Sequence, residues 1–467
     1  MITDLTKGSP SRVLWKFSIP MLLSVLFQQM YNIADSMVAG NFVGKNALAA
    51  VGASYPVTMI FMAVATGANI GCSVVISQLF GAKKLENMKT AVFTSLFSVV
   101  GISVTLSGLG FLLCPALMEL LQTPVEIFGD SMLYLNIYVG GLLFLFLYNI
   151  CTGIFTALGD SRTPLFFLIA SSVSNIFMDI LFVTAFEMGV AGVAWATFLC
   201  QGVCSLLALF CLLKRLKKVK TGAFPLFQWG MLGRIGKIAV PSILQQSFIS
   251  VGNLFIQGLV NSFGPDTIAG YSAAIKLNTF AITGFVTLGN GVSSFTAQNI
   301  GAGNTERVRK GFRAGLIMML CVVIPIVAVL LLFSSGMISL FLPSSDAGNL
   351  SAIAVGVDFL RVVAPFYVVV AVKLIADGVL RGSGTMKEFM VATFTDLVLR
   401  VVLSFLLAWA MESAFGIWLS WPIGWGVAAA LSLGFYVTGR WKRDIPAPVE
   451  EEPYKELSET ILEEELE

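Results

Sequence analysis

Histidine is absent from this 467-residue chain, and charge is scarce: Asp, Glu, Lys and Arg together make up only 12% of it. Without histidine the commonest metal ligand and the usual near-neutral proton carrier are both missing, so any proton chemistry falls on carboxylates. The charged share is about half that of a soluble domain, which excludes an ordinary soluble globular chain. No G-x-x-x-x-G-K-S/T loop is present, which argues against ATP-driven work; the lack of HExxH and GxGD motifs argues against an intramembrane protease. The seven cysteines lie in apolar runs without disulfide or zinc-knuckle context and read as small hydrophobes, Cys200 and Cys204 on one helix face included. The first hydrophobic run carries no A-x-A-like cleavage site, so it reads as a retained span. Basic residues sit at helix ends and form no groove-sized patch, so nucleic acid is not an expected partner.

What is abundant is apolar sequence: 57% of the residues, with a mean hydropathy of +0.86. Hydropathy predicts twelve spans, near 14–37, 52–79, 90–114, 131–157, 163–186, 190–213, 234–260, 271–298, 311–335, 352–379, 388–411 and 414–438. Lys and Arg concentrate before the first span and after the second, sixth, eighth and twelfth, while the alternate loops hold Lys45 and otherwise acids. The positive-inside rule then places both termini in the cytoplasm.

The chain repeats itself. KFSIP and KIAVP share Lys16/Lys237 and Pro20/Pro241, and the same offset maps Asn32 onto Asn253. SQLFGA ending at Ala82 matches AQNIGA ending at Ala302, and LGDSRTP from Leu158 matches LRGSGTM from Leu380. Six spans per half is an even number, so the two halves run parallel about an axis along the membrane normal. The expected organisation is an N-terminal six-helix lobe (1–213), a cytoplasmic linker (214–230), a C-terminal six-helix lobe (231–443) and an acidic, solvated tail (444–467). The fold class is therefore an all-α integral membrane protein of twelve transmembrane helices, its two pseudo-symmetric lobes facing a central cleft.

Acids inside the spans are few, and Asp35, Asp179, Asp377 and Asp396 are the ones that stand out. A charge at such depth costs at least ~2.5 kcal/mol, which makes each a functional-site hypothesis. In the first span Ser24, Gln28, Asn32 and Asp35 form one polar stripe; in the fifth, Asn175 and Asp179 lie one turn apart, and Thr197 is mid-span in the sixth. Packed together, Asp35, Asn175, Asp179 and Thr197 would make a pocket suited to a small hard cation, sodium for example, or to a shared proton. Asp35 also admits a blander role, a buried acid satisfied by neighbouring amides. The seventh span repeats the stripe without an acid, as Gln246, Ser250, Asn253 and Gln257, so one lobe reads as ionisable and the other as polar and neutral. Asp396 and Arg400, and Lys373 and Asp377, are spaced for intrahelical ion pairs, with Lys276 placed to reach Asp377 across the second lobe. Candidate contacts to a substrate in the cleft are Gln28, Asn32, Gln246, Asn253, Lys276 and Asn278.

With these stretches in view, the chain resembles the multidrug and toxic compound extrusion (MATE) transporters over about residues 10–443. NIADSMVAG, ISQLFGAKK, FTALGDSRTP, SNIFMDILFV and GVAGVAWAT carry the likeness in the first half; YSAAIKLNTFA, TAQNIGAGN, GVLRGSGTM and GIWLSWPIGW carry it in the second. The resemblance implies a plasma-membrane antiporter, not an enzyme, that exports amphipathic, often cationic organic compounds on an inward flow of protons or sodium ions. It implies a first-lobe coupling site at Asp35, Asn175, Asp179 and Thr197, no cofactor beyond the coupling ion, and no partners beyond the small-molecule substrate and membrane lipid. One branch of the family also uses a seventh-span acid, where this chain has Gln245 and Gln246. A flippase for a lipid-linked precursor is the alternative reading, and it asks for cationic residues lining the cleft.

Overall fold

The computed structural model describes residues 4–38, 45–342 and 347–442, without the side chains of 32–38, 45–48 and 347. The acidic tail at 444–467 lies outside the described residues. The first lobe comprises α1 (Pro10–Val38), α2 (Lys45–Gly81), α3 (Leu85–Leu120), α4 (Val125–Gly140), α5 (Leu142–Ala157), α6 (Arg162–Ile180) and α7 (Gly189–Lys218). The second comprises α8 (Trp229–Asn261), α9 (Pro265–Gly301), α10 (Thr305–Leu332), the short α11 (Ser334–Ser339), α12 (Leu350–Val363), α13 (Tyr367–Ser383), α14 (Met386–Met411) and α15 (Phe415–Val437). Ten of the described helices, counting α12 and α13 as one, are long and apolar enough to cross a membrane, and α4 with α5 makes an eleventh span bent by 50°. That bend replaces the single straight span expected over 131–157. It falls at Gly140–Gly141, where a Cβ on Gly141 would stand only 3.0 Å from Phe198 of α7.

The remaining span, the eighth in chain order and formed by α9, is too polar to pass the same test, yet at 37 residues it is about 55 Å long. Its polarity has a cause. The helix packs against α1, α2, α10, α12 and α13, so protein rather than lipid surrounds it, and the run from Gly291 to Gly301 is buried throughout. The outer helices behave oppositely and leave large apolar side chains such as Leu112, Leu120, Leu332 and Trp409 exposed for lipid.

The repeated motifs meet where the lobes touch, in the half of the bundle that carries the basic loops. Gly81 of SQLFGA lies against the Gln298 carbonyl, and Gly301 of AQNIGA lies against the Gln78 carbonyl; a Cβ at either glycine would overlap the opposing backbone. The glutamines bond across the boundary: Gln78 Nε2 donates to Gly382 O (3.0 Å), and Gln298 Nε2 donates to Ala157 O (2.8 Å). A second pair of contacts repeats the symmetry nearer the middle, Gly71 against Ala239 and Gly291 against Ser18. Small residues permit these approaches. Beneath them the segment before α1 tucks under the second lobe. The buried Leu5 donates to Gln298 Oε1 (3.0 Å) and accepts from Asn299 Nδ2 (3.2 Å), while Arg307 donates to the carbonyls of Leu5, Lys7 and Gly8.

LGDSRTP proves to be a helix-start device. Asp160 Oδ1 accepts from the backbone N–H of Arg162 and Thr163 (both 3.0 Å), capping α6, and Oδ2 is paired with Arg215 of α7. Burial pushes the Asp160 carboxyl up, but the Thr163 hydrogen bonds and the Arg215 charge outweigh it and hold the group below the usual carboxylate range. Between the lobes, α7 carries the helix through Lys218, and 219–228 is non-helical up to α8.

Candidate functional site

Two polar regions lie inside the bundle, one within the first lobe and one between the lobes. In the first lobe α6 packs against both α1 and α7. Asn175 and Asp179 of α6 are buried, at 3% and 0% exposure, one turn apart as their spacing requires. The Asn175 amide is satisfied at both ends when its nitrogen donates to Tyr31 Oη (2.7 Å) and Asp179 Oδ2 (3.1 Å) and its oxygen accepts from Thr197 N (3.1 Å). The structure thus brings Asn175, Asp179 and Thr197 together and adds Tyr31, which the sequence reading did not single out. Asp35 follows Tyr31 by four residues on α1, at the register that shares its helix face. The side chains of Asp35 and Asn32 lie outside the described residues. Directly after Asp179 the helix widens into a π-turn, Leu181–Ala185, an irregularity frequent at functional sites. The described oxygen-bearing groups here are one carboxylate, Asp179, one amide, Asn175, and two hydroxyls, Tyr31 and Thr197. Among the described residues no group of three or more Asp, Glu or Cys side chains could hold a metal ion.

The second region is a cavity of about 320 Å³ between the lobes, walled mainly by the second. Gln246, Asn253 and Asn278 line it, as expected of cleft residues, with Thr66 and Ile70 closing it from the first lobe. Asn278 accepts from Tyr367 Oη at 2.8 Å. Gln28 is exposed and is not among the lining residues. Lys276 is not among them either: its ammonium lies over the Phe341 ring, 5.4 Å from the centroid, and does not reach Asp377. Asp377 is instead paired on its own helix, Lys373 Nζ to Oδ2 at 2.7 Å, and its Oδ1 accepts from Ser432 Oγ of α15 at 2.5 Å.

Two further expectations fail here. Asp396 and Arg400 form no ion pair; the Arg400 guanidinium lies over the Trp421 ring at 4.6 Å, while Asp396 Oδ1 points to Gly424 of α15. Nor is the second lobe neutral. Five buried charged residues line its cavity, Lys373, Asp377, Arg381, Asp396 and Arg400. Sequence reasoning missed Arg381, although its place four residues after Asp377 and eight after Lys373 puts all three on one face of α13.

A two-lobed bundle of membrane-spanning helices with a polar cavity between its halves is the architecture of a membrane transporter. The family model MatE matches residues 20–181 and 241–406, one stretch in each lobe. The chain belongs to the MATE family of transporters. It is 30% identical over 446 residues to the Probable multidrug resistance protein YpnP of Bacillus subtilis, covering 94% of this chain and 97% of that protein. It is 25% identical over 313 residues to the FAD transporter of Shewanella oneidensis, covering 65% of this chain and 68% of that one. The fold matches a solved outward-facing structure of a multidrug resistance MATE family transporter with a TM-score of 0.87 at 24% identity, over 95% of this chain and 99% of that one.

Proposed function

We propose that the protein exports amphipathic organic compounds across the plasma membrane, driven by inward movement of a proton or sodium ion, with both termini and the basic loops in the cytoplasm. The observation that carries this reading is the first-lobe cluster: a fully buried carboxylate, Asp179, held by Asn175 beside Thr197 and Tyr31 within a transporter fold. A buried carboxylate changes its neighbours most when it gains or loses charge, because low dielectric magnifies the difference. Binding a cation at Asp179, with Asp35 on the facing helix, neutralises the cluster and alters how α1 packs on α6. Pro20 interrupts the hydrogen-bond ladder of α1 and gives that helix a place to bend in response. The lobes touch at the basic end in this structure, so the described state holds the cleft closed towards the cytoplasm under the proposed orientation. Substrate leaves from that state, and the ion is released after the lobes exchange. Family membership and the names of the relatives support export over the lipid-precursor flippase.

The test is uphill efflux of a fluorescent organic dye from proteoliposomes under an imposed pH or sodium gradient, comparing the native protein with Asp179→Asn and Asp35→Asn. Loss of gradient-driven efflux in both variants, with unchanged melting temperature, is the expected result. Native coupling in both variants would remove the first-lobe site from the mechanism.

A further inference from the structure

We propose that the second-lobe cavity binds an anionic group, a carboxylate or phosphate carried by an aromatic amphiphile, and so selects a substrate of opposite charge to the one the resemblance implies. The inference rests on the reading of the cleft as the transport path. The charge count comes first. Three cations, Lys373, Arg381 and Arg400, face two anions, Asp377 and Asp396, a formal excess of one positive charge. Asp377 is already neutralised by Lys373 and bonded by Ser432. What remains is two arginines against one aspartate.

The hydrogen-bond inventory points the same way. Arg381 gives one nitrogen to Asn290, but its Nε has no partner. Arg400 Nε, Trp421 Nε1 and the Thr393 hydroxyl are likewise unpartnered, and the four residues are all more than nine-tenths buried. Unused acceptors in this cavity are fewer, Asp396 Oδ1 and Gln245 Oε1. A buried donor without a partner costs about 1–3 kcal/mol, more for a charged one, so a ligand oxygen that satisfies several of these donors relieves a standing penalty. Phe389, Trp421 and Trp425 give the same cavity an aromatic wall, with the Arg381 guanidinium over the Phe389 ring and that of Arg400 over Trp421.

Carboxyfluorescein and rhodamine 123 share a xanthene frame and differ in charge, which makes them the probe pair. Their binding to purified protein in neutral detergent is read by fluorescence polarisation. The native protein is expected to bind carboxyfluorescein, with affinity about tenfold or more weaker in Arg400→Gln and in Arg381→Gln. Asp396→Asn removes the opposing charge and is expected to tighten binding, a change that a merely damaged fold would not produce. Rhodamine 123 is expected to respond with the opposite signs. Competition by FAD or by a short-chain phosphatidylglycerol tells whether a soluble compound or a lipid headgroup supplies the anion. Absence of saturable carboxyfluorescein binding, or affinities unmoved by all three substitutions, overturns the proposal. If carboxyfluorescein binds as expected but no gradient drives its movement in proteoliposomes, the anion site stands and the export reading falls. If rhodamine 123 is pumped uphill while carboxyfluorescein fails to bind, export stands and the anion site falls.

Discussion

Gly71→Ala is expected to prop the lobes apart where α2 meets α8. A Cβ added there would lie 2.7 Å from Ala239 N, 2.8 Å from its Cα and 2.5 Å from its Cβ. Non-bonded carbons settle at about 3.5–4.0 Å, so α2 and α8 would have to separate by roughly 1 Å. Ala239 offers no rotamer to turn away, and two of the three atoms are backbone. Forcing one methyl into such a contact costs typically about 1–3 kcal/mol, borne only by the closed state. That converts to a fall in the closed-to-open ratio of about 5–150-fold. Distances between spin labels at Lys84→Cys and Arg309→Cys, exposed positions of opposite lobes at the basic end, report the ratio directly once the native cysteines are replaced. Two controls sharpen the reading. Gly101→Ala, with nothing within 4 Å of the new methyl, should leave the distribution unchanged. Gly291→Ala meets the Ser18 hydroxyl at 2.6 Å, a group that can rotate, and should shift it less than Gly71→Ala does. Superimposable distributions for Gly71→Ala and the native protein would refute the account of lobe closure.

Other outcomes follow from the charged pairs. Lys373→Met leaves the buried Asp377 without its ion-pair partner and should destabilise the protein by about 3–5 kcal/mol, much of it recovered when Asp377→Asn is added; thermal melting of the single and double variants checks this. Asp160 has a folded pKa below its ordinary 3.8, so its stabilising contribution is present above that value and lost as pH falls through the depressed one. Asp160→Asn should therefore lower the melting temperature at neutral pH and flatten its decline below roughly pH 4. An acid limb as steep as the native one would show that other carboxylates set it.

The architecture was legible because lipid imposes its rules residue by residue. All twelve spans, the twofold repeat and the Lys373–Asp377 pair follow from hydropathy, offset and i,i+4 spacing alone. Even α9, polar along much of its length, was legible as the expected span at 271–298. What sequence spacing could not decide was the choice among partners on neighbouring helices. Asp396 and Arg400 are as well spaced as Lys373 and Asp377, yet Trp421 of α15 draws the guanidinium away, and that contact exists only once α14 and α15 pack. Lys276 turned to Phe341 for a comparable reason. In the first lobe the residues of the candidate coupling site announced themselves as acids and amides out of place in apolar runs. Tyr31 did not, since a tyrosine in a span is unremarkable until Asn175 is seen to donate to it.

The segment beneath the second lobe sets an order of assembly. The backbone N–H of Leu5 finds its acceptor on Gln298, 293 residues later in the chain. At a translation rate of ~5–20 residues per second, roughly 15–60 s separate the synthesis of the two partners. Throughout that interval the segment before α1 has no second lobe to sit under, and the carbonyls that will accept from Arg307 remain open. A nascent chain released before α9 is made would carry a complete first lobe with its leading segment unfastened. The last stitch of the first half is thus sewn by the second.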